Sequence, residues 1–264
     1  MHSPIVNSAP LLGSRLKLQR ATSHLQELDQ AVAAYIASKP FRVQMSEDAS
    51  EDLVYTVRIA APVPSEWAAI IGDIVHNVRS SLDLLANQLV ATSGGAPDTN
   101  TRFPISRDQT ALGASLSSAL QGASPAIARF VNRLHPYKGG NALLAQLHAL
   151  DIVDKHRIIL VVGAAHRNVV LRMQMSVPWQ AEPIVSPPLA LKPADRQFPL
   201  GDGDEVFRVK AQAKSTGPLP EPQFTFELCF GEPTEVSGLP LLPTLRSMHE
   251  HVSRIVDIAD RFLI

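Results

Sequence analysis

A chain of 264 residues can bury a large core, and 45% hydrophobic against 19% charged residues is the balance of an ordinary folded protein, which excludes a disordered or fibrous chain. Lys and Arg number 24 against 25 Asp and Glu, a formal net charge of -1, so no global field steers the chain toward nucleic acid or anionic lipid. The lone cysteine, Cys229, excludes an internal disulfide and a cysteine-cluster metal site, and it fits a reducing compartment.

At the N-terminus, MHSPIVNSAPLLGSRLKLQR lacks a basic stretch followed by an apolar core of signal-peptide length. No run approaches the ~20 apolar residues of a membrane span. A cytoplasmic protein without a membrane partner is expected. From Leu16 to Ser38, Ala21, Leu25, Leu28, Val32 and Tyr35 alternate by four and three, which predicts a long helix with one apolar seam. Pro40 ends it. FRVQM and VYTVRIA then alternate with period two around the turn-rich SEDASEDL and predict a β-hairpin. After Pro62 and Pro64, Ser65 is placed to cap a second helix from about Glu66 to Ala91, which SGGAPDTN stops.

Between Asn100 and Gly140 the helical pattern is weaker; Pro125 is placed to start a short helix and Gly139 to end it. A further helix runs from about Ala142 through Asp154 into KHRIILVVGAAHRNVVLRMQMSV, whose β-branched runs read as two strands or as one interrupted by GAA. Proline and glycine make Pro178–Asp204 an irregular loop, followed by the strand candidates VFRVKAQA and FTFELCF. In the last segment, Leu245, Met248, Val252, Ile255, Ala259 and Phe262 again alternate by three and four. The simplest use of two matching terminal seams is to pack on each other or on the central helices; a less common use is a homodimer interface.

The architecture expected is α+β and mainly helical, with 1–264 as a single domain. Helices fall within 12–39, 65–92, 107–157 and 243–264, and β segments within 41–60 and 158–230. This is a helical bundle with an inserted β-hairpin and a small antiparallel sheet before the last helix.

The densest run of polar side chains is in IIGDIVHNVRSSLDLLANQLV, Ile70–Val90. At 100° per residue, Ile71, Ile74, Val78, Leu82, Leu85 and Leu89 share one face, and Asp73, His76, Arg79, Ser80, Asp83 and Asn87 the other. Such a stripe can be the solvated side of the helix, with Arg79 and Asp83 as an i,i+4 pair of a few tenths of a kcal/mol. It can also be a site, because His, Arg, Ser, Asp and Asn make directional hydrogen bonds where a solvated face favours Lys, Glu and Gln. In LLAQLHALDIVDKHR, Asp154 falls on the stripe of Leu143, Leu147 and Leu150, and a buried acid there needs a cation, for which Arg79 and Arg157 are the candidates. The function of such a pair is either to fix helix orientation or to supply chemistry.

Elsewhere the chemical signals are weak. Arg129 and His135 stand at Arg-x5-His spacing, a common pattern. His249 and His251 are two apart and cannot share a helix face, and His148, His156 and His166 have no metal-ligand spacing, so no metal site is expected. No phosphate-binding glycine loop and no G-x-S-x-G elbow occurs; GGAP and YKGGN read as turns, and Cys229 as a packed core residue. No cofactor is expected.

Taken together, the long first helix, KPFRV and YTVRI, HNVRSSLD, RFPI, LHPY and DIVDKHR resemble a widespread family of uncharacterised bacterial proteins, over the chain from the first helix to about Arg157. Its helical arrangement is similar to HEPN domains, all-helical and often dimeric modules, many of which are metal-independent RNases using Arg-x4-6-His. The resemblance implies a HEPN-like core, and in the family pattern the arginine of the motif is followed by a histidine at Arg-x4-His spacing, which would match the RNase signature. Here that position is Leu84, which can neither transfer a proton nor stabilise a developing charge.

Two functions are therefore weighed. One is a non-enzymatic binding protein, homodimeric or with an unknown protein partner, in which Asn77, Ser80, Asp83, Asp154, Lys155 and Arg157 belong to a polar network that sets helix register. The other is an RNase or nucleotide-binding protein of defence or toxin type, with Arg79 on phosphate and His76 or His156 as acid or base. The first is preferred.

Overall fold

Three long amphipathic helices carry most of the core. The computed structural model describes residues 11–157, 159, 161–163, 169–171, 174–175, 184–185, 189–191, 199–211, 222–224 and 226–263. In chain order the elements are α1 (Leu12–Ala37), β1 (Phe41–Glu47), β2 (Leu53–Ile59), α2 (Trp67–Thr92), α3 (Gln109–Ala119), α4 (Pro125–Arg133) and α5 (Ala142–His156). Short strands follow: β3 (Val161–Gly163), β4 (Val169–Leu171), β5 (Gln174–Met175), β6 (Ile184–Val185), β7 (Leu189–Leu191), β8 (Glu205–Val209), β9 (Pro222–Phe224) and β10 (Leu228–Phe230). Helix α6 (Leu241–Ala259) runs into a 3-10 turn at Asp260–Phe262. The chain is thus α+β, with six α-helices and, among the described residues, four small sheets, one of them led by the hairpin.

The seam expected in α1 is the one that is buried: Ala21, Leu25, Leu28 and Tyr35 face the core and Val32 is half-buried. α1 lies along α2 and α6, so the two terminal seams do pack on each other. At their contact His249 Nε2 sits 3.1 Å from both Thr22 Oγ1 and the Leu18 carbonyl, flanked by ion pairs Arg15–Asp257 (2.8 Å) and Arg246–Asp29 (2.7 Å). These pairs are exposed and orient more than they stabilise.

α2 is the central helix. Ile71, Ile74, Val78, Leu82, Leu85 and Leu89 are all fully buried, each contributing about 1.5–3 kcal/mol of burial free energy. Ser65 does not cap it. The N-cap is Glu66, without a side-chain bond, and the first amides turn back on the carbonyls of Pro64, Ser65 and Glu66, a 3-10 entry that satisfies the orphan donors by backbone. Side-chain caps appear instead at Asp108 on Ala111 N (2.9 Å), Ser124 on Ile127 N (3.4 Å) and Asn141 on Leu144 N (3.2 Å). Pro125 opens α4 as expected, but α4 stops at Arg133, not at Gly139. Pro136 has no amide to continue the helix and disfavours helical geometry before it, and His135 takes a left-handed φ of 49°. The SGGAP stop after α2 has a packing reason: a Cβ on Gly95 would lie 2.8 Å from Val90 Cγ1 and 2.9 Å from the Gly122 carbonyl oxygen.

The hairpin forms in the register Met45↔Tyr55. Its third strand comes from far along the chain, with β8 antiparallel to β2. The other strands pair separately, as β10 with β3, β7-β4-β9, and β5 with β6. The β segments of 158–230 therefore do not form one sheet before α6, because β8 completes the hairpin instead. Arg208 of β8 binds the hairpin turn, pairing with Asp48, Asp52 and Glu205. Asp52 also accepts from Lys210 Nζ (2.9 Å) and Ala211 N (2.9 Å), and these bonds hold its carboxyl at about 2, well below the ordinary value. The proline-rich reading of 178–204 falls mostly outside the described residues. No described helix is long and apolar enough to cross a membrane.

Candidate functional site, the polar seam between α2 and α5

The polar stripe of α2 is not one surface. Arg79 is 6% exposed, although it lies on the expected outer face. Its Nη2 donates to the Phe103 carbonyl at 2.9 Å, while Asp83 Oδ1 accepts the Phe103 amide at 2.9 Å. Arg79 Nη1 and Asp83 Oδ1 close the triangle as an ion pair at 2.8 Å; the contact is off line for a hydrogen bond, so Nη1 is left buried with no bonded acceptor. One turn on, Asn87 Nδ2 donates to its own helix at Asp83 and, at 3.3 Å, to the Thr101 carbonyl. Arg79, Asp83 and Asn87 thus hold TRF, Thr101–Phe103, against α2 by its backbone, and the Phe103 ring is fully buried beside them. RFPI and HNVRSSLD, far apart in sequence, are two halves of one clamp.

Below Arg79 the seam with α5 keeps Leu147 and Leu150 of the expected stripe but buries Leu144 more deeply than Leu143 and Asp151 more deeply than Asp154. Leu144, Leu147, Leu150 and Asp151 are buried, and Asp154 is half-buried. Asp151, 2% exposed, is the acid in the core. Its Oδ2 takes Lys155 Nζ at 2.6 Å, and its Oδ1 is buried with no hydrogen bond. His148, one turn earlier, has its Nδ1 buried and without a partner. Burial, then the positive charge of Arg79, push its ring below the ordinary histidine value. Arg79, His148 and Asp151 therefore bring three unmet polar atoms to one seam, the kind of group that ordered water satisfies in folded proteins. The signal for this face was Leu144, His148, Asp151 and Lys155 at i, i+4, i+7 and i+11.

Above Arg79 the seam opens. Asp154 does not meet Arg79 or Arg157; Arg79 is engaged with Asp83, and Arg157 Nη1 lies 3.3 Å from Glu232. Asp154 rests over Gly72 of α2, where a Cβ would fall 2.1 Å from its Oδ1. Burial, then the like charge of Asp151, raise its carboxyl above the ordinary value, against a lowering field from His76. Asp154 and Arg157 line a cavity of about 390 Å³ with Ser65, Ala68 and Ala69. His76 is exposed and touches Ser80 Oγ at 3.3 Å. Asn77, buried, donates to the Asp73 carbonyl at 2.7 Å. His156, at the end of α5, is exposed.

Leu84 is 40% exposed and lines a separate groove with Leu11, which precedes α1, and with Leu12 and Gly13 of α1, roughly 140° around α2 from Arg79. Arg129 is exposed on α4, and His135 lies beyond that helix. His249 turns to α1, and His251 Nε2 to Asn141 Nδ2 at 2.9 Å. His166 lies outside the described residues. No group of three or more His, Cys, Asp or Glu among the described residues is arranged to hold a metal. Cys229 is fully buried in β10. No protein-family model, curated protein or solved structure matches the chain, and the chemistry of the seam has to be read from its own side chains.

Proposed function

We propose that the chain is a non-enzymatic binding protein with a HEPN-like helical core, in which HNVRSSLD is a structural clamp. The observation that carries this reading is the engagement of Arg79: its guanidinium is buried, bonded to the Phe103 carbonyl and paired with Asp83. A phosphate-binding arginine presents its fork to the ligand. Recruiting Arg79 to RNA would strip a buried carbonyl of its donor, a cost of about 1–3 kcal/mol before any phosphate is bound. His76 and His156, the acid and base of the RNase alternative, are both exposed, and neither is bonded to Arg79. Leu84 adds to this, since the position that the RNase pattern gives to histidine lies on another side of α2. A cytoplasmic location, and a homodimer or protein partner, go with the same reading.

The test is incubation of pure protein with single-stranded and structured RNAs, beside His76→Ala and Arg79→Ala, with melting temperatures on the same samples. Intact RNA, a lowered melting temperature for Arg79→Ala and an unchanged one for His76→Ala are expected. Cleavage that both variants lose while melting like wild type overturns the reading in favour of the RNase.

A further inference from the structure

Three ion pairs among the described residues lie along the α2–α5 seam. Arg79 meets Asp83, Lys155 meets Asp151, and Arg157 meets Glu232. Asp73 lies 3.8 Å from His24 Nε2 of α1. Asp154 has neither an ion pair nor a hydrogen bond among the described residues, although it is half-buried. The carboxylate keeps contact with water, and a half-buried one without a protein partner is open to any cation or donor that arrives. The space for that carboxylate is made by a glycine: any side chain at position 72 would collide with Asp154 Oδ1. Ala68, Ala69, Ser65 and Arg157 line the same depression, the Arg157 guanidinium being paired with Glu232. The depression is open to water and has a volume of about 390 Å³, room for a molecule of a few non-hydrogen atoms.

We infer that this cavity binds a small organic amine, with its ammonium on Asp154 and its hydrocarbon part on the alanine methyls of the first turn of α2. The residual charge decides the class. An anion would be repelled by the carboxylate, and a neutral donor could only hydrogen-bond to it, whereas an ammonium adds charge to the hydrogen bond. A bare metal ion would find a single carboxylate, too few donors for the six or more oxygens of calcium or the octahedron of magnesium. The inference rests on the reading of the chain as a binding protein only in assigning Asp154 no chemical step.

The probe is n-butylamine hydrochloride, titrated into full-length protein by calorimetry and followed at the Ala68 and Ala69 methyls by NMR. Saturable binding that shifts both methyls is expected, with n-butanol, the neutral isostere, failing to bind. Asp154→Asn is expected to weaken the amine about tenfold or more, the loss of one charge-assisted contact. That variant removes an unpaired charge and should fold. Ala69→Leu, at an exposed position, fills the mouth without touching Asp154 and is expected to block the amine as well. Equal binding of amine and alcohol, unaltered amine binding by Asp154→Asn, or no saturable shift overturns the inference. RNA cleavage by a protein that still binds the amine through Asp154 would overturn the non-enzymatic reading and leave the amine site standing.

Discussion

Truncating Arg79 to alanine isolates the clamp, and the structure sets its size. Three losses add. The Phe103 carbonyl, on a residue with no exposed surface, loses its donor at 2.9 Å, about 1–3 kcal/mol for an orphaned buried acceptor. The aliphatic stem of Arg79 leaves a void where it covered core side chains, about 1 kcal/mol. The ion pair adds little, because the Asp83 side chain is 37% exposed and water replaces the guanidinium. The sum is about 3 kcal/mol. At about 2–4 °C per kcal/mol for a chain of this size, Arg79→Ala should melt about 6–12 °C below wild type. Asp83→Asn keeps an acceptor for the Phe103 amide and removes only the charge, so it should cost about 1 kcal/mol. Thermal melts by circular dichroism, checked by urea unfolding, measure both. An Arg79→Ala melt within about 1 °C of wild type would refute the clamp, since a buried carbonyl cannot lose its only side-chain donor at no cost.

Three further outcomes follow from the geometry. Gly95→Ala should destabilise by about 1–3 kcal/mol in the same melts, because its Cβ meets the Gly122 backbone at 2.9 Å, which cannot yield as a side-chain end can. Gly72→Ala should cost much less, since Asp154 can swing away and alanine favours helix by about 1 kcal/mol, yet it should abolish n-butylamine binding; retained binding would show that the carboxylate does not need its place over α2. Acid should loosen the helical core before it reaches the hairpin. His148 and His251 are held below their ordinary value of 6.5, both mainly by burial, so the unfolded chain binds more protons, and stability present above about 6.5 falls as pH drops through that value. His148→Gln should flatten the melting temperature against pH there. Asp52 has the opposite cause and a lower window: with a folded value of about 2 against 3.8, its contribution is present above about 3.8 and lost as pH falls toward 2, and Asp52→Asn should remove that limb of the profile.

Periodicity carried the parts of the fold that it can carry. The α1 and α6 seams, the inner face of α2 and the period-two hairpin all lie where their spacing puts them, because each is a local pattern facing one core. Interactions that depend on distant segments were not legible. Nothing in HNVRSSLD names the Phe103 backbone as the partner of Arg79 and Asp83, and nothing in VFRVK says that it pairs with Leu53–Tyr55 rather than a neighbour. On α5 the buried face straddles two stripes, because Leu143 and Leu144 are adjacent and each starts one. Leu147 and Leu150 of the stripe from Leu143 are buried together with Leu144 and Asp151 of the stripe from Leu144, while Asp154 and His148 are both half-buried. The Ser65 cap failed for a related reason, since backbone carbonyls from Pro64 to Glu66 do the capping that the side chain was expected to do.

The measurement that bears most directly on the account is the fraction of full-length RNA remaining after long incubation with the wild-type protein, for structured and single-stranded substrates alike. With Arg79 committed to Phe103 and Leu84 in place of a proton-transferring side chain, the account predicts the same fraction as in buffer alone. RNA lost with wild type but preserved with a normally melting Arg79→Ala protein would contradict it, and would make the clamp an active site.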